Sequence, residues 1–417
     1  MGAISARTRE CRLGQVSDPR WSPGVTWELG AILNVITATM TAGSKSLAQT
    51  ESMSDEMSPV CRRKLGITRR IPDTTMRQVL VRLDQKEMRK PLYRQVRAAQ
   101  RRKALKPVDL PFGVVAMDGK STRVDDINGS FSQCRTSPDK KNYGLVRTVT
   151  STLISSGCKI CLDASPIRSG DNEQTHYEIA LDELLEAYGR LNLFKLISYD
   201  AGACSQWNAR STRLAGLHYL MRVNPKSQPK LSKHIMEKTG APARAVTEER
   251  VNGHLLRRSV FLSEDVAVWQ KRTELRTMIR VLFERFDPEQ GIIETQQRLY
   301  ASSLSSDALT GKQWITVTRN HWNVENNCHH TFDAVFEEDR HPWIVSDSTG
   351  MIAILLLRRI AYNILTLFRS VTQRAKDKRL TPWRHIMRWF YNALISSTAE
   401  QLKDMRTRTP KEELLVR

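Results

Sequence analysis

Residues 112–120 read Phe-Gly-Val-Val-Ala-Met-Asp-Gly-Lys, a short and mostly apolar run that stops at Asp118. Residues 193–202 repeat the pattern as Leu-Phe-Lys-Leu-Ile-Ser-Tyr-Asp-Ala-Gly, again ending on an aspartate, Asp200. Short apolar runs bounded by Gly, Pro or Asp read as buried strands. Between these two lie further strands at 145–154 and 158–163, split by the turn Ser155-Ser156-Gly157. Tyr177, Ala180, Leu181, Leu184, Leu185 and Tyr188 then follow the spacing of an amphipathic helix. A helix at 205–214 and a strand at 218–223 complete the order β-β-β-α-β-α-β. That order predicts an α/β fold, a mixed sheet flanked by helices.

Outward from this core the texture changes. Residues 255–262, 278–283 and 296–304 alternate loosely between apolar and polar, with turns at Asn252-Gly253 and 287–291. They predict a β-rich insertion. Helical periodicity returns with Trp314, Val317, His321, Val324 and Cys328, and a hydrophobic helix covers 350–368. Upstream, Asp73 and Thr74 can cap a helix bearing Met76, Val79, Leu80 and Leu83. Arg77 and Arg82 lie off that apolar stripe, which suits a helix-turn-helix in DNA and equally a solvated basic helix. Residues 86–106 read as a basic helical linker. The tail interleaves Arg379, Trp383, Arg384, Arg388, Trp389 and Phe390. Such a mix can grip phosphates and stack on bases, or pack as an amphipathic helix on its own domain. The resulting division is a helical basic N-terminal domain suited to DNA (1–106), a first part of the core (107–223), the β-rich insertion (224–304), a second part of the core (305–370) and a basic tail (371–417).

Composition narrows the partners. The chain has 417 residues and a net charge of +21. Residues 1–105 carry a net +11 and residues 369–417 a net +7, so the middle is nearly neutral. Such an excess points to a polyanion, nucleic acid or an anionic membrane. No run of about 18 uninterrupted apolar residues occurs, and 351–357 is stopped by Arg358 and Arg359, which argues against a membrane. The stretch 29–41 lies behind too polar a leader for a secretory signal. Seven scattered cysteines fit a reducing cytoplasm better than a disulfide framework. Cys158 and Cys161 lack a second ligand pair for zinc and read as buried thiols.

In open α/β sheets ligands gather at the carboxyl ends of strands, where Asp118 and Asp200 are predicted. Glu325, on the later helix beside its apolar stripe, can face the same place. Three convergent carboxylates offer the hard oxygens that Mg²⁺ or Mn²⁺ requires. Two such ions can clamp the attacking and leaving oxygens of a phosphodiester displacement. Lys120 follows Asp118 at i+2, placed to neutralise a phosphate. His321, Glu325, His329 and Asp333 run at four-residue spacing and are expected on one helical stripe, where His329 can bond substrate, water or Glu325. No P-loop, G-x-S-x-G elbow or H-E-x-x-H occurs, which disfavours an NTP-driven motor, a serine hydrolase of that type and a zinc protease.

These positions resemble a known family. "VVAMDGKSTR" from Val114, "YDAGACSQ" from Tyr199 and "RNHWNVENNCHHTFDAVFEEDR" from Arg319 look like the three catalytic blocks of DDE-class insertion-sequence transposases, of the H-repeat-associated (ISAs-type) group. "DPRWSPGVTWELGAILNVITATMTAGSKSL" from Asp18 and "LGITRRIPDTTMRQVLVRLD" from Leu65 look like its N-terminal blocks. "NEQ" at Asn172, "GHLLRRSV" at Gly253 and "YASSL" at Tyr300 echo shorter ones. The resemblance implies a ribonuclease H-like core, with Asp118, Asp200 and Glu325 as a metal triad holding two Mg²⁺, or Mn²⁺ in their place. It implies cleavage at transposon ends and strand transfer into target DNA, by a homodimer on double-stranded DNA in the bacterial cytoplasm, at the nucleoid. Tyr300 and Arg319 match the Tyr and Arg of a signature that flanks the Glu. The chain departs from the pattern at Phe332, where Lys is usual, and at His329-His330, where the family usually has His-Trp. An inactive or repurposed DNA-binding copy, and a nuclease on the same fold, are the competing functions.

Overall fold

A computed structural model describes residues 2–401, apart from 22–24, 241, 270–272, 323 and 374–376. The final part of the expected tail, 402–417, lies outside the described residues. The helices among them, in chain order, are α1 (Gly2–Cys11), α2 (Leu29–Thr41), α3 (Leu47–Glu56), α4 (Pro59–Leu65), α5 (Asp73–Leu80), α6 (Gln85–Arg101), α7 (Glu173–Tyr188), α8 (Gln206–Leu214), α9 (Pro229–Lys238), α10 (Gly311–Asn320), α11 (His330–Ala334), α12 (Ser348–Leu367) and α13 (Trp383–Ser396). The strands are β1 (Val114–Val124), β2 (Ser132–Thr136), β3 (Asn142–Leu153), β4 (Cys161–Pro166), β5 (Leu196–Tyr199), β6 (His218–Val223), β7 (Ala245–Val251), β8 (His254–Ser263), β9 (Thr277–Asp287) and β10 (Gly291–Ser302). The chain divides into two compact units. One holds the described residues of Met1–Arg102, Ser121–Arg147 and His330–Arg417; the other holds Lys103–Lys120 and Thr148–His329.

The strands form a mixed sheet in the order β2-β3-β1-β5-β6-β10-β9-β8-β7, with β4 also pairing β3, and most of it lies in the second unit. β1 and β5 pair in parallel, as do β5 and β6, while β6 to β10 and the strands beyond it pair antiparallel. Val114 to Met117 are fully buried, as are all four residues of β5. Burial on both faces is what a parallel strand between helical layers demands, and it explains the unbroken apolar runs. The parallel strands are joined through α8, and β4 reaches β5 through α7. Asn172 starts α7 by accepting from Thr175 N–H, in a capping box. Thr310 does the same for α10 through Gln313. Trp314, Ile315 and Val317 of α10 pack with Val114, Ala116, Leu196 and Leu220 of the sheet. Tyr177 of α7 meets Tyr199 edge-on, with ring centroids 5.0 Å apart. Because Leu196 and Tyr199 point to opposite faces of β5, α10 and α7 cover opposite sides of the sheet.

In the first unit, α2 and α12 are almost wholly buried. The segment Ser348–Thr372 is long and apolar enough to cross a membrane by length and composition, yet 94% of its apolar window is buried within the protein. Arg358 and Arg359 sit inside it at 1% and 0% exposure, gathered on Glu338 at 0%. Arg359 donates to both carboxylate oxygens of Glu338, one at 3.2 Å, and Arg358 Nη1 lies 3.7 Å from Glu338 Oε2. Burial pulls the Arg358 guanidinium down to about 10, so it remains charged at neutral pH. The two arginines that interrupt the apolar run at 351–357 are therefore core residues with a buried counter-ion.

Several expectations change. Residues 86–106 are not a linker over most of their length: α6 buries Met88, Arg89, Leu92, Gln95, Val96 and Ala99. Its stripe of apolar residues, diluted by arginines, is masked in a composition reading. β1 runs on to Val124, past Asp118, where the apolar run predicts a strand end. Pairing of β1 with β5 is what stops there, at Met117 opposite Tyr199. The insertion contains β7 and α9 besides the expected strands, and the hairpin strand β2 has no counterpart in the sequence pattern. In the tail, α13 buries Ile386, Met387, Phe390 and Leu394, the amphipathic alternative, and leaves Trp389 exposed.

Removing one partner of a buried ion group leaves uncompensated charge, at about 3–5 kcal/mol. Glu338→Gln should therefore lower the unfolding free energy by about that amount, measured by urea titration. A loss below about 1 kcal/mol, the scale of a surface pair, would show that Arg358 and Arg359 do not depend on it.

Candidate active site

Asp118 and Asp200 are placed by the parallel register of β1 and β5. Met117 lies opposite Tyr199, and each aspartate is the next residue in its chain. Adjacent strands lie about 4.8 Å apart, so the two aspartates start side by side where β5 ends and β1 runs on. Alternation puts Asp118 on the face of Val114 and Ala116, and Asp200 on the face of Leu196, which is the face covered by α10. Lys120, two residues beyond Asp118, is 9% exposed and shares its side of the strand.

Glu325 arrives from the segment after α10. That segment is a single π turn, Val324–His329, with Val324, Cys328 and His329 buried and Glu325 exposed. π turns are rare and recur at functional sites because the wider turn re-aims side chains. It also breaks the expected stripe. α10 ends at Asn320, so His321, Glu325, His329 and Asp333 do not share one helical face. His321 is buried and its Nδ1 lies 2.8 Å from Ser198 Oγ, two residues before Asp200. Burial holds the imidazole well down, at about 4, so it is neutral. This bond ties the start of the Glu-bearing segment to β5. His329 Nδ1 lies 3.4 Å from Asp118 Oδ2. Asp333 falls in the other unit.

The carboxylates feel one another. Burial, and then the charges of Glu173, Asp200 and Glu325, push the Asp118 carboxyl up to about 8, against a lowering by the Gly119 N–H. Asp200 is held by Arg222 of β6, with Nη1 3.2 Å from Oδ1. Arg222 and Arg298 both lie over the Trp322 ring, at 5.1 and 4.3 Å. Arg298, Tyr300, Arg319, Trp322, Glu325 and Asn326 line a recess of about 660 Å³. Tyr300 is buried on β10, and Arg319, in the last turn of α10, bonds Glu249 at 3.1 Å. Arg77 lies on α5, in the other unit, half-buried.

The donor chemistry fits a hard divalent cation. A carboxyl raised first by burial and then by like charges is a place where added positive charge would be favoured. Among the described residues no three His, Cys, Asp or Glu side chains close on one point as a ready-made cage. Mg²⁺ is commonly held by one or two carboxylates, with water and substrate phosphate completing its shell. Sequence pattern does not single out Glu173, Arg222 or Trp322 as site residues. Glu173 opens α7 in the "NEQ" block, and that block is its only local cue. Arg222 sits inside an apolar strand, where a lone arginine is the cue.

Ser198→Ala would leave the buried His321 nitrogen without its partner. The unfolding free energy should fall by about 1–3 kcal/mol in urea titration. A variant as stable as the parent would show that this tie contributes nothing.

No family model matches the chain. No curated protein matches it in sequence. Among solved structures the chain is similar to a piggyBac transposase synaptic complex with hairpin DNA, at 14% identity and a TM-score of 0.43, over 99% of this chain and 80% of that chain. A likeness at that score assigns neither fold nor activity to this chain.

Proposed function

We propose that the protein is a DDE-class transposase that cuts DNA at transposon ends and joins the freed strand to target DNA, using two Mg²⁺ or Mn²⁺ ions. The observation that supports this reading is electrostatic: Asp118, Asp200 and Glu325 come from three elements, the second and third 125 positions apart, yet the charges of Asp200 and Glu325 both bear on Asp118. The ribonuclease H-like reading of the core is supported by the strand order β3-β1-β5-β6, with β4 also pairing β3 and with β5 and β6 parallel to β1 and β5 respectively. The ISAs-type assignment rests on the quoted sequence blocks.

The chain's own residues would divide the work as follows. Asp118, Asp200 and Glu325 would hold the cations. When bound, the ions would supply charge for the attacking and leaving oxygens of an in-line displacement. Arg222 orients Asp200 by its direct bond. Ser198 and His321 fix the segment that carries Glu325. Lys120, Tyr300, Arg319 and His329 are assigned to DNA, with Arg77 acting alongside them from the basic N-terminal region. A homodimer would pair two ends, and the location would be the bacterial cytoplasm, at the nucleoid.

Asp118→Ala, Asp200→Ala and Glu325→Ala should each reduce Mg²⁺-dependent nicking and joining of DNA by roughly 10⁴-fold, the scale seen when groups act as a unit. The assay is cleavage of labelled DNA carrying the element's ends. Cleavage that survives all three changes would remove the reading. Normal end binding with no strand chemistry would favour a DNA-binding protein, and cut but never joined products a nuclease.

DNA affinity should fall steeply with salt, because each neutralised phosphate releases counterions. Arg63 and Lys64 are exposed on α4. The double change Arg63→Glu, Lys64→Glu should weaken binding and reduce the salt slope by about 1 for each phosphate no longer neutralised. An unchanged slope in fluorescence anisotropy would place the grip elsewhere.

A further inference from the structure

The parallel strands β5 and β6 end on the same side of the sheet, and each hands the chain to a helix there. In α/β sheets this is the side where ligands gather. β5 leads through Asp200 and the turn Ala201–Ala203 into α8, and β6 leads through residues 224–228 into α9. The two connections are braced. Gln228 donates to the Cys204 carbonyl at 3.2 Å, and the Asn208 side chain donates to the carbonyls of Ala203 at 2.9 Å and Gln174 at 3.4 Å. Ser205 caps α8 by accepting from Asn208 N–H at 3.1 Å. Trp207 belongs to this fixed first turn, yet it is 63% exposed. Arg210 one turn on, Lys226 in the neighbouring connection and Lys230 in the first turn of α9 are exposed as well. Glu178, on the adjoining α7, is engaged by Ser211. An exposed indole on a rigid backbone is a flat apolar face that loses little entropy on binding. Cations around it call for a polyanion. Leu214, also exposed on α8, lies about 10 Å further along the helix. It does not join Trp207 in the continuous patch of about 800 Å² per partner that a stable interface between copies needs.

We propose that Trp207, Arg210, Lys226 and Lys230 form a binding surface for single-stranded DNA, with Trp207 stacked on an unpaired base and the cations on the phosphates around it. Every base has a face on which an aromatic ring can stack, and in a duplex those faces are taken up by neighbouring bases, so the indole selects an open strand. Naming the polyanion as DNA rests on the function proposed above. The surface deepens that reading, because it holds a strand on the side of the sheet away from α10, where α8 lies bonded to α7 through Thr212 and Tyr177.

The test uses the full-length protein and a fluorescein-labelled oligonucleotide, single-stranded or annealed to its complement, in anisotropy titrations over a range of salt. Trp207→Ala should weaken single-strand binding by about 5–150-fold, the scale of one base–aromatic stack, with the salt slope and the duplex affinity at the parent values. Trp207→Phe, which keeps a ring, should recover most of that loss. The double change Lys226→Gln, Lys230→Gln should lower the single-strand salt slope by about 1.4, at about 0.7 for each phosphate. Parental single-strand affinity in Trp207→Ala overturns the proposal. If that variant also sediments as a smaller species than the parent, the face belongs to contacts between copies instead. Equal weakening of single strand and duplex overturns it too, since the contact is then not with an unpaired base. Should Trp207→Ala fail to fold by circular dichroism, the lysine pair decides: a reduced slope supports the surface and an unchanged slope overturns it. A parent that binds duplex but no single strand overturns this inference and leaves the transposase reading in place. Single-strand binding as expected, with no strand chemistry, removes the transposase reading and leaves the surface standing.

Discussion

The parallel pairing of β1 with β5 is the constraint on which the site depends. Parallel strands run in the same direction, so the residues that follow the last pair between them start side by side. Here those residues are Asp118 and Asp200, set by Met117 opposite Tyr199. Two carboxylates in such a place repel, and burial removes the water that would screen them. The cost is visible in the upward shift of Asp118. Folding tolerates it because β1 and β5 are buried on both faces and anchored by α7 and α10.

The insertion lies between Asp200 and Glu325 and sets the path by which the chain returns to the sheet. β10 pairs with β6, so β7–β10 extend the sheet rather than forming a separate lobe. The chain then returns through α10, whose Trp314, Ile315 and Val317 lock it onto the face that carries Asp118. A regular helix continuing past Asn320 would have kept His321, Glu325 and His329 on one stripe. The π turn separates them instead: His321 goes into the core against Ser198, His329 approaches Asp118, and Glu325 stays exposed. Around Glu325 the lining is cationic and aromatic, with Arg298 stacked on Trp322. Carboxylates and guanidiniums thus sit in adjacent sub-regions with opposite electrostatic character.

The net charge of +21 does not translate directly into a surface for polyanions. Arg89, Arg358 and Arg359 are buried, and the last two are committed to Glu338. Others are paired on the surface, as Arg222 with Asp200 and Arg319 with Glu249. What remains exposed, such as Arg63 and Lys64 on α4, is the part of the excess that can meet phosphate.

Local pattern was enough for the elements that obey a simple period. β5, β6, α7 and α8 lie within a few residues of where alternation, apolar runs and helical spacing put them. It also offered Asp118 and Asp200 as candidates, because an aspartate after an apolar run is visible in one dimension. It was not enough for α6, whose arginines hide a buried stripe, or for the π turn, which no periodicity predicts. Nor could it find Glu173, Arg222 or Trp322, since each matters only through what lies across a strand or on the opposite face of the sheet. By itself the sequence determined the kinds of residue available and the elements that carry them, because those follow from short-range spacing. Only the tertiary structure decided which charges meet, because that depends on strand register and on Gly119 leaving room for a carboxylate from another helix.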